Sequence, residues 1–170
     1  MALIENRPAF KGLNWYRQQH FSLFVPIDWP HGPWSDGREG VVFVPNPNDP
    51  ETRLAVEVKD LGLAFSQDDK EDLLAGFIAG IKAMPECLLE EQKDWVVGHL
   101  ICLEAKYSFL ESEVRRRRWV RVLYDKTRQI SFIAQGSSPE TFQFWLPMFY
   151  EALMLARVHD QKPSVAAEKV

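Results

Sequence analysis

The chain has 170 residues, 46% of them hydrophobic and 26% charged, which fits one globular domain with its own core and excludes disordered, collagen-like and membrane-spanning classes. Twenty basic against 24 acidic residues leave a net charge of -4, the wrong sign for a protein built to coat nucleic acid. Two cysteines, Cys87 and Cys102, permit at most one internal bridge, so packing and not a disulfide framework must hold the fold.

Glu5 and Arg7 interrupt the N-terminal segment where a signal peptide needs a continuous apolar run, and no apolar stretch approaches the roughly 20 residues that span a bilayer. A cytosolic protein with reduced thiols and no membrane association is the expectation. After Val158 the residues are small and polar, with Pro163 as a breaker, so 1–158 reads as one domain and 159–170 as a flexible C-terminal tail.

In chain order, Phe21, Leu23 and Val25 share one face of a short strand ended by Pro26, and Val41–Val44 form another between Gly40 and Pro45. Leu54, Val56 and Val58 alternate with Arg53, Glu57 and Lys59, the pattern of a strand with one buried face. From Lys70 to Met84 the period changes: Leu73, Leu74, Phe77, Ile78 and Ile81 form a helical stripe, with Asp68 or Asp69 as cap and Pro85 as the stop. Leu88 to Trp95 is irregular. Beyond a turn at Gly98, Ile101, Leu103, Ala105, Tyr107 and Phe109 alternate against Cys102, Glu104, Lys106 and Ser108. Val120, Val122 and Tyr124 oppose Trp119, Arg121 and Leu123, and after Asp125-Lys-Thr-Arg the chain returns through Ile130, Phe132 and Ala134. A second helix starts at Ser138 with Pro139 at its first position and aligns Phe142, Trp145, Leu146, Phe149, Tyr150, Leu153 and Met154 in a stripe expected to be buried. Pro147 inside it predicts a kink or a break near Trp145. The order strands, helix, four strands, helix is α+β, with an antiparallel sheet of about six or seven strands packed with two main helices.

The segment Phe21-Ser-Leu-Phe-Val-Pro26-Ile-Asp-Trp29-Pro30, followed by Gly40-Val-Val-Phe43-Val-Pro45, resembles the PsbP-like superfamily, which includes the photosystem extrinsic subunit, Mog-type and DcrB-like proteins. The resemblance spans about residues 14 to 158. It implies an α/β/α sandwich, a binding or accessory role without a shared catalytic centre, and no site residue that transfers. Neither the transit peptide of the photosynthetic members nor the lipobox cysteine of exported DcrB-like ones is read near residue 1, so neither of those destinations is the expectation.

Motifs for catalysis are missing: there is no Gly-x-Ser-x-Gly elbow, no phosphate-cradling glycine loop and no His-Glu-x-x-His, and the four histidines are scattered. No catalytic residue, cofactor or metal is assigned. Cys87, His99 and Cys102 are the nearest approach to a metal set, but His99 and Cys102, three apart on one strand, point to opposite faces. The loop Pro45-Asn-Pro-Asn-Asp-Pro50 lacks EF-hand spacing. Gly76 and Gly80 read as close packing of the first helix on the sheet.

Two features stand as binding candidates. Arg115-Arg-Arg-Arg118-Trp119-Val-Arg121 puts Arg115, Arg117, Trp119 and Arg121 on one strand face, where guanidiniums can clamp carboxylates or phosphates and the indole can stack. The plainer reading is a solvated hairpin whose arginines pair with Glu104, Glu111 or Glu113. The loop from Pro26 to Trp34 offers an aromatic platform at Trp34, with Trp29 placed in the core as the family motif suggests. Arg53, Glu57, Lys59, Glu104, Lys106, Arg117 and Arg121 are expected to share a polar sheet face with Leu110, Trp119 and Leu123 as apolar islands. Such a face can pair two copies, making a homodimer an expectation. The functional expectation is a non-catalytic cytosolic binding or adaptor domain for a protein or small ligand; the alternative is a binder of a phosphate-bearing ligand, or less readily nucleic acid, through the arginine-rich strand.

Overall fold

The computed structural model describes residues 8–159. Seven strands form an antiparallel sheet in the order β3-β4-β5-β9-β8-β7-β6: β3 (His31–Gly32), β4 (Gly40–Phe43), β5 (Arg53–Asp60), β6 (Leu88–Val97), β7 (Leu100–Glu111), β8 (Val114–Asp125) and β9 (Arg128–Gly136). The last four are consecutive hairpins. Left-handed residues turn them: Gly98 at φ +60°, Ser112 and Glu113 at +50° and +65°, and Lys126 at +57°. The irregularity read near Leu88 to Trp95 is a bulge, a register shift between Leu89 and Glu91 against β7, which locally upsets the two-residue period.

Each face of this sheet has its own cover. Helix α2 (Pro139–Met154) and a second, three-stranded sheet in the order β1-β2-β10 (Leu13–Arg17, Phe21–Pro26, Arg157–Val158) lie over one face. Helix α1 (Lys70–Lys82) lies over the other, packing Ile81 and its partly buried stripe on Ile101, Leu103, Tyr107, Phe109, Val120 and Val122. Ser138 caps α2 by accepting from the Thr141 backbone N–H at 3.1 Å. Phe142, Phe149 and Leu153 are buried against Phe21, Leu23, Phe132 and Trp119, each contributing roughly 1.5–3 kcal/mol of burial.

Three expectations change. Of the kink or break read at Pro147, the break does not occur, because helix α2 is continuous through Pro147: Pro147 and Gln143 are both exposed, so the carbonyl released by the missing N–H lies at the wet side of a helix anchored by its other face. The buried stripe also sits further round, taking in Met148 and Ala152 and leaving Tyr150 and Met154 half exposed. Gly76 and Gly80 face solvent, with nothing within 4 Å of where a Cβ would stand, so they pack on nothing.

Strands β1, β3 and β10 escaped the sequence reading. His159, assigned to the tail, donates its backbone N–H to His20 O at 3.0 Å and extends the β10–β2 pairing; the rest of that tail lies outside the described residues.

Candidate functional site

Register decides which sequence candidates come together. Arg115, Arg117, Trp119 and Arg121 oppose Leu110, Ser108, Lys106 and Glu104 of β7 and do share one face, the one α2 covers. Arg121 Nε donates to Glu104 Oε2 at 2.7 Å and its Nη1 to Leu153 O at 2.8 Å, while its guanidinium stacks 5.2 Å from the Trp95 ring. It thus satisfies a carbonyl at the C-terminus of α2. Arg117 pairs with Glu90 at 2.9 Å. Arg115 donates to Ser108 Oγ at 2.8 Å, and to Glu86 O. Arg116 pairs with Glu111 at 3.0 Å, and Arg118 donates Nε to Gln135 Oε1 at 3.0 Å. Trp119 is 1% exposed, under Tyr150 and with the Lys106 ammonium 4.5 Å from its ring centroid. Each guanidinium of the run therefore has an acceptor inside the molecule, and the indole offers no free stacking surface. Glu104 and Glu111 are among the partners the plainer reading named; Glu113 occupies the β7–β8 turn instead.

Trp34 is also no open platform. It is 9% exposed, its Nε1–H donates to Val56 O at 2.9 Å, and the Arg38 guanidinium stacks 3.7 Å over the ring. Gly40, at φ +137°, leaves the space: a Cβ there would stand 3.1 Å from Trp34 Nε1. Trp29, as expected, is core, edge-on to Trp145 and Phe149.

The single polar face is corrected by pairing: Val56 opposes Phe132, which opposes Arg121. Directly paired residues point the same way, so Arg53, Glu57 and Lys59 lie on the α1 side and Glu104, Lys106, Arg117 and Arg121 on the α2 side. Trp119 and Leu123 are buried, not islands.

Cys87, His99 and Cys102 do not converge. Cys102 sits in the α2-side core and Cys87 against the α1-side core; burial pushes the Cys102 thiol up to about 11. Asp49 of the proline-rich loop accepts from Thr52 Oγ1 at 2.6 Å and Ser137 Oγ at 2.7 Å, tying the loop to the start of α2.

A different site appears on the outer side of the three-stranded sheet. Arg17 of β1 and Arg157 of β10 both pair with Ser22 of the central β2, so three side chains stand in a row across adjacent strands on the face turned from the core. Ser22 Oγ lies 2.7 Å from His159 Nε2. Arg157 stacks 4.7 Å over Trp15, which packs on Phe24 at 5.2 Å. Trp15, Arg17, Ser22, Arg157, Val158 and His159 line a cavity of about 310 Å³. Among the described residues no carboxylate lines it, and neither Arg17 nor Arg157 has an acidic partner. Sequence reading missed this site because its arginines stand at opposite ends of the chain; they become neighbours only once β1 and β10 flank β2.

Two histidines carry the geometry an enzyme would need, each incompletely. His99 Nε2 meets Asp125 Oδ1 at 2.6 Å, but on a hairpin end outside the described cavities, with His99 62% exposed. His159 meets a serine inside a cavity, yet its Nδ1 is buried without a partner among the described residues, lacking the orienting group of a nucleophile–base pair.

No family model and no curated protein matches the sequence. The fold is similar to several solved structures. The solution structure of PsbP from the cyanobacterium Synechocystis sp. PCC 6803 superposes with a TM-score of 0.60 at 12% identity, over 89% of this chain and 95% of that one. LpqN of Mycobacterium tuberculosis, involved in cell envelope biogenesis, gives 0.58 at 14%, over 81% and 82%. PA94 of Pseudomonas aeruginosa, a protein of unknown function, gives 0.59 at 12%, over 90% and 99%. With two helices, a seven-stranded antiparallel sheet and these neighbours, the chain has the PsbP-like fold.

Proposed function

We propose that this chain is a non-catalytic binding domain that takes a small anionic ligand in the cavity between Arg17, Ser22, Arg157 and His159. One observation carries the reading: two arginines flank one serine on three adjacent strands and line one cavity with it, and no carboxylate stands among the described lining residues. Elsewhere the described arginines are engaged, so the arginine-rich strand is read as structural. A cavity of this size is at the small end of ligand sites. The missing orienter on His159 favours binding over chemistry, and a cytosolic setting for the free thiols belongs to the same reading.

Isothermal titration with sulfate and, separately, citrate at low ionic strength tests this, binding of either anion counting as occupancy. One saturable site, lost in Arg17→Ala/Arg157→Ala and kept in Arg115→Ala/Arg117→Ala, is the expected result; the reverse pattern, or no binding, overturns it.

A partner protein or second copy is favoured by a separate observation. Tyr150, Met154 and Leu155 are 52%, 46% and 40% exposed within about one and a half turns at the end of α2, an apolar strip of the kind interfaces cover. Light scattering coupled to size exclusion is expected to show a dimer dissociated by Tyr150→Glu/Met154→Glu; a monomer at every concentration removes the second-copy form of this reading.

A further inference from the structure

Resting on that reading of the cavity, we infer that its ligand is a phosphate dianion, free or as a monoester, and not a carboxylate. The argument is geometric. Adjacent strands lie about 4.8 Å apart, so Arg17 and Arg157, each one strand from Ser22, are rooted about 10 Å apart with the hydroxyl midway. Each side chain is long enough to bring its planar fork over Ser22 from its own side. A planar carboxylate offers two oxygens in one plane and one negative charge, and a single bidentate guanidinium already engages both oxygens and balances that charge. A phosphate monoester offers three terminal oxygens on a tetrahedral centre and carries up to two negative charges: one edge can meet each fork while the remaining contacts fall to the hydroxyl and imidazole beneath.

Charge points the same way. Two guanidiniums facing one small cavity repel each other, and one dianion neutralises both where one carboxylate neutralises one. Orientation adds to this. Arg157 lies over Trp15 at 4.7 Å, and Trp15 packs in turn on Phe24, so its side chain is partly ordered beforehand and loses less rotamer freedom on binding. Ser22 is 4% exposed although it stands on the outer face, because its neighbours already close over it. The hydroxyl is therefore a floor, reached only by a ligand seated between the arginines. The part of Trp15 that lines the cavity supplies an apolar edge for the organic part of a monoester.

Calorimetric titration of the full chain at constant ionic strength separates the possibilities, using inorganic phosphate, phenyl phosphate, sulfate and acetate. The inference predicts phosphate binding at least tenfold tighter than acetate, with sulfate resembling phosphate. Arg17→Ala and Arg157→Ala should each lower phosphate affinity at least tenfold and Ser22→Ala several-fold, with unchanged far-ultraviolet circular dichroism. Phenyl phosphate binding tighter than inorganic phosphate, with the gain removed by Trp15→Ala, identifies a monoester; equal affinities identify the free ion. Acetate and phosphate binding equally, both lost in the arginine variants, overturns the phosphate assignment while the anion cavity stands. Absence of all binding, or binding indifferent to Arg17 and Arg157, overturns both.

Discussion

Truncating Arg121 distinguishes a structural arginine strand from a ligand-binding one. Its side chain is 13% exposed and that of Glu104 6%, so Arg121→Ala strands a carboxylate in a low-dielectric setting and also releases Leu153 O at the end of α2. Breaking such a buried pair from one side costs about 3–5 kcal/mol. For a domain of this size each kcal/mol moves the melting temperature by roughly 2–4 °C, so Arg121→Ala is expected to melt at least 6 °C below the parent. Arg117→Ala removes an ion pair whose partners are 24% and 35% exposed, and surface pairs of this kind contribute about 0–1 kcal/mol. Urea denaturation followed by tryptophan fluorescence, with both variants and the parent in one buffer, gives the difference directly. Comparable small losses for the two variants would refute the claim that Arg121 is clamped inside the fold.

Gly136→Ala should destabilise by about 2 kcal/mol or more, because the new Cβ would lie 2.4 Å from Phe142 N and 2.6 Å from its Cα, backbone that cannot move aside. Gly76→Ala/Gly80→Ala should instead stabilise by about 0.5–1 kcal/mol per site, the helix gaining propensity with no clash; thermal melts read both signs. Glu113→Gly should raise stability by up to about 1 kcal/mol, since Ser112 and Glu113 form a two-residue turn with both φ values positive; a lower urea midpoint would contradict this. Cys102 ionises near 9.0 when unfolded but is pushed up to about 11 by burial. Above pH 9 the unfolded chain therefore holds fewer protons, and this contribution is lost progressively as pH rises to about 11. Unfolding free energies at pH 8 and 10.5 should fall less in Cys102→Ala than in the parent.

The sheet and both helices were legible in the sequence because their periods were strong. The alternation from Ile101 to Phe109 and the stripe Phe142–Phe149–Leu153 are each long enough to dominate local noise, and Pro85 and Ser138 mark ends by backbone chemistry. The three-stranded sheet was not legible. Strand β10 is two residues long, and β1 carries Asn14 and Arg17 among its aromatic residues, so neither has a period to read. The cavity depends wholly on those strands. Arg17 and Arg157 look like isolated surface charges until pairing brings them to Ser22, whereas the arginine run attracted attention by density alone. Density was the weaker guide: in Arg115–Arg121 the strand pairing supplies an acceptor for every guanidinium. The polar-face expectation failed for a related reason. Alternation within β5 and within β7 is correct in each, but only the register through β9 and β8 says which sets of side chains point the same way.

A phosphate titration of isotopically labelled protein, followed by amide chemical shifts, asks where an anion goes on this surface without assuming a site. The account predicts saturable shifts centred on Arg17, Ser22 and Arg157, with residues 115–121 of β8 still. Shifts centred on β8, or drifting without saturation across every exposed arginine, would contradict it.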